Sequence, residues 1–223
     1  MALILLIETA TKSCSVSLSF QNKIIACKEE VNKQYSHAEK LNVFIASLFR
    51  KTDFSIKDLD VIAVSKGPGS YTGLRIGVST AKGLCYALDV PLISVSTLKA
   101  MAFGMAQKEK SDLYCPMIDA RRMEVYNAFY NSTNNEIRGI QADIIEADSY
   151  QKELNKKVLF FGDGAEKCKQ MIQHPNAKFI DRIFPSSKDM LEIANQKFAE
   201  KDFEDVAYFE PFYLKDFVAG KKD

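Results

Sequence analysis

Hydrophobic and polar positions at the start of the chain predict three successive β-strands. Residues 3–7 form an uninterrupted apolar run, which is typical of a strand covered on both faces. Between residues 13 and 20 apolar side chains alternate with serines and point to one face of a second strand. Polar residues 21–23 predict a turn, and residues 24–31 predict the returning strand. The chain is therefore expected to open with a three-stranded meander.

Helices and strands then alternate. Residues 36–50, beginning at Ser36, have the apolar spacing of a helix, and residues 59–64 read as a buried strand. A second helix is predicted for residues 72–88 and a further strand for residues 92–95. Three strands, a helix, a strand, a helix and a strand are the connectivity of a ribonuclease-H-like fold.

The second half of the chain looks like a weaker copy of the first. A hairpin is predicted around Ala120-Arg121-Arg122, and a third strand is predicted after residues 131–135. The remaining predictions are hairpin strands 113–119 and 123–130, strand 158–161, and helices 165–172 and 188–200. The charged stretch 108–112 marks the expected boundary between domains 1–108 and 109–223. We expect an α/β protein of two tandem ribonuclease-H-like domains, the actin/hexokinase/Hsp70-type architecture, whose C-terminal segment could pack back on the first domain.

Composition narrows the class of protein. Lys and Arg number 30 against 29 Asp and Glu, so the formal net charge is only +1. A chain that held nucleic acid by itself would usually be more basic. Five scattered cysteines without a Cys-x-x-Cys pair argue against a disulfide framework or a zinc site. The apolar start is short and has no basic leader, and no apolar run is long enough to span a bilayer. We expect a cytoplasmic protein with reduced thiols and no membrane segment.

A glycine-rich segment, SKGPGSYTGLRIGVSTAKGL at residues 65–84, lies between a predicted strand and a predicted helix. Its backbone amides and the helix N-terminus could hold an anion. Alternatively, Gly73, Gly77 and Ala81 recur every fourth residue and form a smooth helix face for close packing. The residues alone leave both interpretations open. The weak candidates for a nucleotide or anion site are Thr9, Thr11, Gly67, Gly69 and Ser70.

The same segment resembles the signature of the TsaB (YeaZ) family, Gly-Pro-Gly-Ser-(Phe/Tyr)-Thr-Gly-x-Arg-Ile-Gly followed by Ala-x-Gly-Leu. Glu8 departs from the family's more frequent Asp but keeps a carboxylate at the end of the first strand. Further family-like stretches follow in the same order at residues 7–11, 14–16, 36–41, 93–98, 118–121, 124–126 and 210–214. The resemblance therefore covers nearly the whole chain.

This resemblance implies a non-catalytic subunit of the bacterial complex that forms N6-threonylcarbamoyladenosine at position 37 of tRNAs reading ANN codons. It implies that the chain binds the catalytic subunit TsaD, that the ATPase TsaE joins the larger complex, and that tRNA is met only through that complex. Without TsaD, we expect the chain to pair with itself as a homodimer, because apolar surface left in water is costly. No cofactor and no metal are expected.

The sequence gives little support to an enzymatic function. TsaD-like proteins hold a metal with two histidines one helical turn apart, but the residue four positions after His37 is Leu41. A lone His37 near a helix start is more typical of a cap-region or surface residue, so a metalloprotease is disfavoured. A phosphotransferase of this fold needs small residues in both hairpin turns, whereas the second turn contains Arg121 and Arg122. Their side chains could still bind an anion.

The predicted first strand of each half ends at a carboxylate. Glu8 and Asp119 could face one another as metal ligands, or they could accept hydrogen bonds from the turns that follow. We favour the second role. Ser13 and Ser70 also lie in predicted turns, but no His/Asp partnership accompanies them, which disfavours a serine hydrolase.

The family resemblance implies that the docking surface for TsaD lies on the two helices of the first half, and the residue pattern makes this plausible. The first helix carries more apolar residues than one inward stripe needs, although it could simply be wedged between its own sheet and the C-terminal segment. On the second helix Arg75, Ser79, Lys82 and Tyr86 share a face away from the expected core. The candidate partner-interface residues are His37, Lys40, Val43, Phe44, Ser47, Arg75, Ser79, Lys82 and Tyr86.

Overall fold

The first half of the chain forms a five-stranded sheet with helices on both sides. The computed structural model describes residues 2–31 and 37–215. Its first eight elements are β1 (Leu3–Glu8), β2 (Ser13–Phe20), β3 (Lys23–Val31), α1 (His37–Phe49), β4 (Val61–Gly67), α2 (Tyr71–Leu88), β5 (Leu92–Ser96) and α3 (Thr97–Ala106). The strand order is β3-β2-β1-β4-β5, with β1 antiparallel to β2 and parallel to β4. The predicted meander and the alternation that follows it are confirmed.

The second half repeats this topology. Its elements are β6 (Leu113–Asp119), β7 (Glu124–Asn131), β8 (Glu136–Ile144), β9 (Val158–Phe161), α4 (Ala165–Cys168), β10 (Ala177–Ile180) and α5 (Leu191–Glu200). The strand order of the second sheet is β10-β9-β6-β7-β8. If β6 to β10 are matched in sequence order to β1 to β5, this order, read in reverse, is that of the first sheet. The α/β, ribonuclease-H-like fold class is confirmed, while a domain boundary between residues 108 and 109 stays a prediction.

Several element boundaries differ from the sequence-based expectation. The helix predicted over 165–172 ends at Cys168, and the chain continues in a tighter turn in which the amides of Lys169 and Met171 bond to carbonyls three residues earlier. The helix predicted over 188–200 begins with a 3₁₀ turn at Ser187–Met190 before α5. Strand β10 was not predicted from the sequence. The predicted helix start at Ser36 lies outside the described residues.

Strand β2 is buried on both faces, although half of its side chains are serines. Cys14 belongs to the apolar cluster beneath α1 and α2, together with Val16 and Leu18 on the same face of the strand. On the opposite face the hydroxyls of Ser15 and Ser17 lie 2.8 and 2.7 Å from that of Ser187. A buried hydroxyl is costly without a partner, so these contacts make the second face compatible with burial. They also join the 3₁₀ turn of the second half to the first sheet.

The C-terminal segment returns to the first half after α5. The Glu204 amide donates to the Leu92 carbonyl at 2.8 Å, and the Phe212 amide donates to the Lys66 carbonyl at 2.7 Å. Val206 and Phe209 pack against the apolar cluster of the first sheet. We refer to residues 204–215 as the C-terminal strap. No helix within residues 2–31 and 37–215 has the length and apolarity needed to cross a bilayer.

Candidate functional site

The carboxyl group of Glu8 lies buried at the end of β1 and organises the turn that follows. Its Oε1 atom accepts hydrogen bonds from the Ala10 amide at 2.6 Å and from the Ser65 hydroxyl at 2.9 Å. Burial raises the pKa of Glu8 to about 7, and these hydrogen bonds oppose that rise. The predicted role of Glu8 as an acceptor for its own turn is confirmed.

The glycine face of α2 is filled by that same turn. A Cβ atom built on Gly73 would lie 2.2 Å from the Thr9 carbonyl oxygen, and one on Gly77 would lie 2.2 Å from the Thr9 hydroxyl oxygen. Gly69 meets the Ala10 carbonyl in the same way, at 2.3 Å. The packing interpretation of the glycine spacing is thereby confirmed, because only a residue without Cβ permits such close approach.

Two backbone amides of the proposed anion cradle, those of Ser70 and Gly73, already have partners. The Ser70 amide donates to the Ala10 carbonyl at 2.6 Å, and the Ser70 hydroxyl accepts from the Gly73 amide at 3.2 Å as the N-cap of α2. Gly67 has φ +105°, and the Phe212 carbonyl lies 2.8 Å from where its Cβ would be. Thr9 and Thr11 are buried. Anion binding by these five candidates stays a prediction, and the geometry leaves little room for it.

His37 belongs to the interior of the first turn. Its ring is 1% exposed, and its Nε2 lies 2.7 Å from the Thr11 carbonyl oxygen. Burial lowers the pKa of His37 and favours the neutral ring. His37 is the first residue of α1, in the cap region that the sequence indicated, but it is buried and not on the surface, because α1 packs its first turn against the loop after β1. Within the described part of the chain no three His, Cys, Asp or Glu side chains are grouped to hold a metal ion.

The turn after β6 in the second half differs from the first turn in that it packs against a charged side chain. The Asp119 carboxylate accepts from the Arg121 amide at 2.9 Å, so the predicted turn-acceptor role is confirmed here too. The Lys167 ammonium lies against the turn and donates to Asp119 Oδ1 and to the carbonyls of Arg122 and Glu124, the last two at 2.7 Å. The turn thus offers carbonyl oxygens to an internal cation, whereas a phosphate would need amide donors.

The two helices of the first half share an outward face, but it holds only part of the predicted interface. Val43 and Tyr86 are 58% and 87% exposed, and Arg75 and Ser79 are exposed beside them. Lys40, Ser47 and Lys82 are half-buried. His37 and Phe44 are buried at 1% and 6%, so they contribute from beneath this face rather than on it. The expected surplus of apolar residues on α1 is mostly absorbed by the chain's own core, since Leu41, Phe44, Ile45 and Leu48 are all buried.

The C-terminal strap forms one border of the α1/α2 face. Sequence analysis allowed the C-terminal segment to pack on the first half and on its first helix, but it did not identify the contacts of the strap with Lys82 and Arg75. Lys82 Nζ donates to the carbonyls of Ala207 and Phe209 at 3.1 and 2.9 Å. The Arg75 guanidinium lies 4.1 Å from the Tyr71 ring centroid, and its Nε donates to the Tyr213 hydroxyl at 3.1 Å. No periodicity marks the strap as part of this face; the available signal was the aromatic stretch after residue 207.

The sequence of the chain is similar to those of known proteins. Residues 29–222 match the family model described as TsaD, tRNA N6-adenosine threonylcarbamoyltransferase. A protein of Escherichia coli named tRNA threonylcarbamoyladenosine biosynthesis protein TsaB is 32% identical over 98% of this chain and 97% of its own length. A Bacillus subtilis protein of the same name is 35% identical over 76% of this chain and 75% of its own.

A solved structure shares the fold over nearly its whole length. YeaZ from Pseudomonas aeruginosa is similar with a TM-score of 0.80 and 25% sequence identity, covering 96% of this chain and all of that one.

Proposed function

The chain belongs to the TsaB (YeaZ) family, and from that premise we propose that it is a non-catalytic subunit in the formation of N6-threonylcarbamoyladenosine on tRNA. The modified base is position 37 of tRNAs that read ANN codons. The chain binds the catalytic subunit TsaD and supports its activity, and the ATPase TsaE joins the larger complex. This activity takes place in the cytoplasm.

The observation that carries the non-catalytic role is that both turns are closed by the chain's own atoms. In the first half the Thr9 and Ala10 carbonyls lie against Gly73 and Gly69 of the segment that would have to approach a phosphate. In the second half the Lys167 ammonium donates to carbonyl oxygens on the inner side of the turn after β6. A catalytic site needs donors and nucleophiles that are free to meet substrate. Here those groups stabilise the fold instead.

The chemistry around His37 also favours an accessory role. The ring is held by the Thr11 carbonyl beneath α1, and the next helical turn presents the buried Leu41. A metal site of the two-histidine kind would need a second nitrogen or oxygen ligand on that face. The pair His37 and Leu41 therefore serves packing.

The exposed α1/α2 face is the surface that we assign to TsaD. Val43 and Tyr86 present apolar area, and exposed Ala46, Ser79 and Gly83 are small enough for another helix to approach closely. A Cβ built on Gly83 would meet nothing within 4 Å. When TsaD is absent, two copies of the chain pair through the same face, because a self-complementary patch suits a two-fold dimer. Lys40, Ser47, Arg75 and Lys82 contribute at its rim.

The experiment is reconstitution of tRNA modification from purified components. Threonine incorporation into tRNA should require TsaD together with this chain, and the chain alone should give none. It should also hydrolyse neither peptides nor ATP at a significant rate. Metal-dependent turnover by the chain alone that is abolished in His37→Ala would contradict the proposal.

A further inference from the structure

The turn between β6 and β7 holds two arginines in an unfavourable backbone conformation. Arg121 and Arg122 have φ values of +69° and +43°, consecutive positions in the left-handed region. Glycine, asparagine and aspartate adopt this region far more readily than arginine does. Gln21 and Asn22 also have positive φ values, +51° and +59°, in the turn between β2 and β3, so consecutive positive φ values occur in the hairpin turns of this chain; the unusual feature here is that both residues are arginines.

The surrounding contacts fix this turn from one side only. Lys167 Nζ donates to the carbonyl oxygens of Arg122 and Glu124 at 2.7 Å, and the Asp119 carboxylate accepts from the Arg121 amide at 2.9 Å. These bonds all involve main-chain atoms of the turn. The side chains of Arg121 and Arg122 are exposed, and neither has an ion-pair partner within residues 2–31 and 37–215. Since glycines could form the same turn, the structure gives the arginine side chains no internal task.

The charges near the turn leave an excess of positive groups. Of the nearby carboxylates, Asp119 is paired with Lys167 and Glu124 is paired with Lys215. Asp163 accepts from the Asp119 amide at 3.1 Å and is largely buried, which raises its pKa. Against the Asp163 carboxyl stand the exposed guanidinium groups of Arg121 and Arg122.

We propose that the Arg121–Arg122 turn contacts the phosphate backbone of RNA. Guanidinium groups bind phosphate oxygens through paired N–H donors, and sequence-independent RNA contacts are of this kind. An exposed turn with outward side chains fits phosphodiesters of a large polyanion better than a small nucleotide, which binds in a concave site. The inference rests on the proposed function, in which the RNA is the tRNA being modified.

The contact is expected to be auxiliary. The whole chain has a net charge of only +1, so its RNA affinity alone is weak. In the complex with TsaD the turn adds about two phosphate contacts to those of the catalytic subunit. Each contact on RNA contributes about 0.7 to 0.9 to the slope of log K against log salt concentration.

The test is tRNA binding as a function of salt, with Arg121→Gly/Arg122→Gly as the variant. Glycine accepts both φ values, so the fold should be kept. Arg121→Asn/Arg122→Asn removes the same charges with a residue that also tolerates this region, and it serves if the first variant unfolds. The charge-matched control is Lys156→Gln/Lys157→Gln, an exposed pair at the opposite end of the same sheet.

Fluorescence polarisation of labelled tRNA should be measured with the TsaD complex and with the chain alone at low salt. In the arginine variants the salt slope should fall by about 1.5 and affinity at 0.1 M salt by roughly tenfold, with no change in the lysine control. Unchanged slope and affinity in the arginine variants would overturn the proposal. So would saturable binding of inorganic tripolyphosphate that the arginines alone support, because it would identify a nucleotide site.

Two further readings separate this proposal from the proposed function. Binding of the arginine variants to TsaD should equal wild type, since Arg121 and Arg122 belong to the β6–β7 turn and not to the α1/α2 face. Failure of the wild-type chain to bind TsaD would contradict the proposed function. The titration of the chain alone would still decide whether the turn contacts RNA.

Discussion

The hydroxyl oxygen of Thr9 occupies the place that a side chain on Gly77 would need. A Cβ built on Gly77 would lie 2.2 Å from that oxygen and 3.3 Å from the Thr9 Cβ. The turn after β1 therefore packs directly against helix α2, because Gly77 has no side chain to keep them apart. This contact connects the glycine-rich segment to the closed first turn.

Gly77→Ala should destabilise the protein by about 1–3 kcal/mol, because the new methyl group overpacks a site with no free space. Gly83→Ala is the matched control on the same helix. Its new Cβ would meet nothing within 4 Å, so it should stabilise by about 0.5–1 kcal/mol. Urea denaturation of both variants checks the difference, and equal stabilities would show that the glycine spacing is incidental. Thr9→Ala should partly rescue Gly77→Ala, which a double-mutant cycle would measure.

The buried carboxyl of Glu8 should make stability fall as pH rises. Its folded-state pKa of about 7 lies above the unfolded value of 4.5, so the folded chain keeps a proton that the unfolded chain releases. The contribution is therefore complete below pH 4.5 and is lost by about pH 7.

Glu8→Gln keeps an acceptor oxygen but cannot titrate. The stability of wild type relative to Glu8→Gln should drop by about 2–3 kcal/mol between pH 5 and pH 7. Subtracting the variant also cancels His37, whose lowered pKa acts with the opposite sign, toward loss of stability in acid. Parallel pH profiles for the two proteins would contradict a raised Glu8 pKa.

Sequence patterns predicted the first half well because its strands are apolar runs bounded by clear breaks. They predicted less of the second half, where β10 has only four residues and α4 is a single turn. Short elements carry too few side chains to establish a period. Their stability comes from neighbours such as Phe160, which stacks on Phe179 of β10 at 5.0 Å between ring centroids.

The site was predictable where chemistry is local and not where it depends on distant contacts. Glu8 and Asp119 each accept a hydrogen bond from the backbone amide two residues later in the chain, so their roles follow from the local sequence. The burial of His37 depends on the Thr11 carbonyl, which is distant in sequence, and the second buried face of β2 depends on Ser187. No periodicity in the chain encodes such pairs.

Lys167 should stabilise the second turn through its ammonium group. Lys167→Met keeps the aliphatic stem but leaves the carbonyls of Arg122 and Glu124 without this charged donor, and we expect a loss of about 1–3 kcal/mol. Lys169→Met is the control, because the side chain of Lys169 forms an exposed ion pair with Asp181 at 3.4 Å, worth at most about 0.5–1 kcal/mol. Chemical denaturation compares them. Equal losses would mean that Lys167 acts as an ordinary surface charge.

The central claim is that the α1/α2 face binds TsaD. Val43→Glu/Ser79→Glu places two charges on this face without touching Lys82, whose ammonium holds the C-terminal strap. The control is Ile137→Glu/Ile144→Glu on β8, where the side chains are 54% and 69% exposed. Both variants should fold, because all four positions face solvent.

The measurement is the dissociation constant for TsaD, by calorimetry, for wild type and both variants. We predict that Val43→Glu/Ser79→Glu weakens binding about 100-fold or more, since each buried unpaired charge costs several kcal/mol, and that the β8 control binds like wild type. A folded Val43→Glu/Ser79→Glu protein that binds TsaD with wild-type affinity would contradict the account.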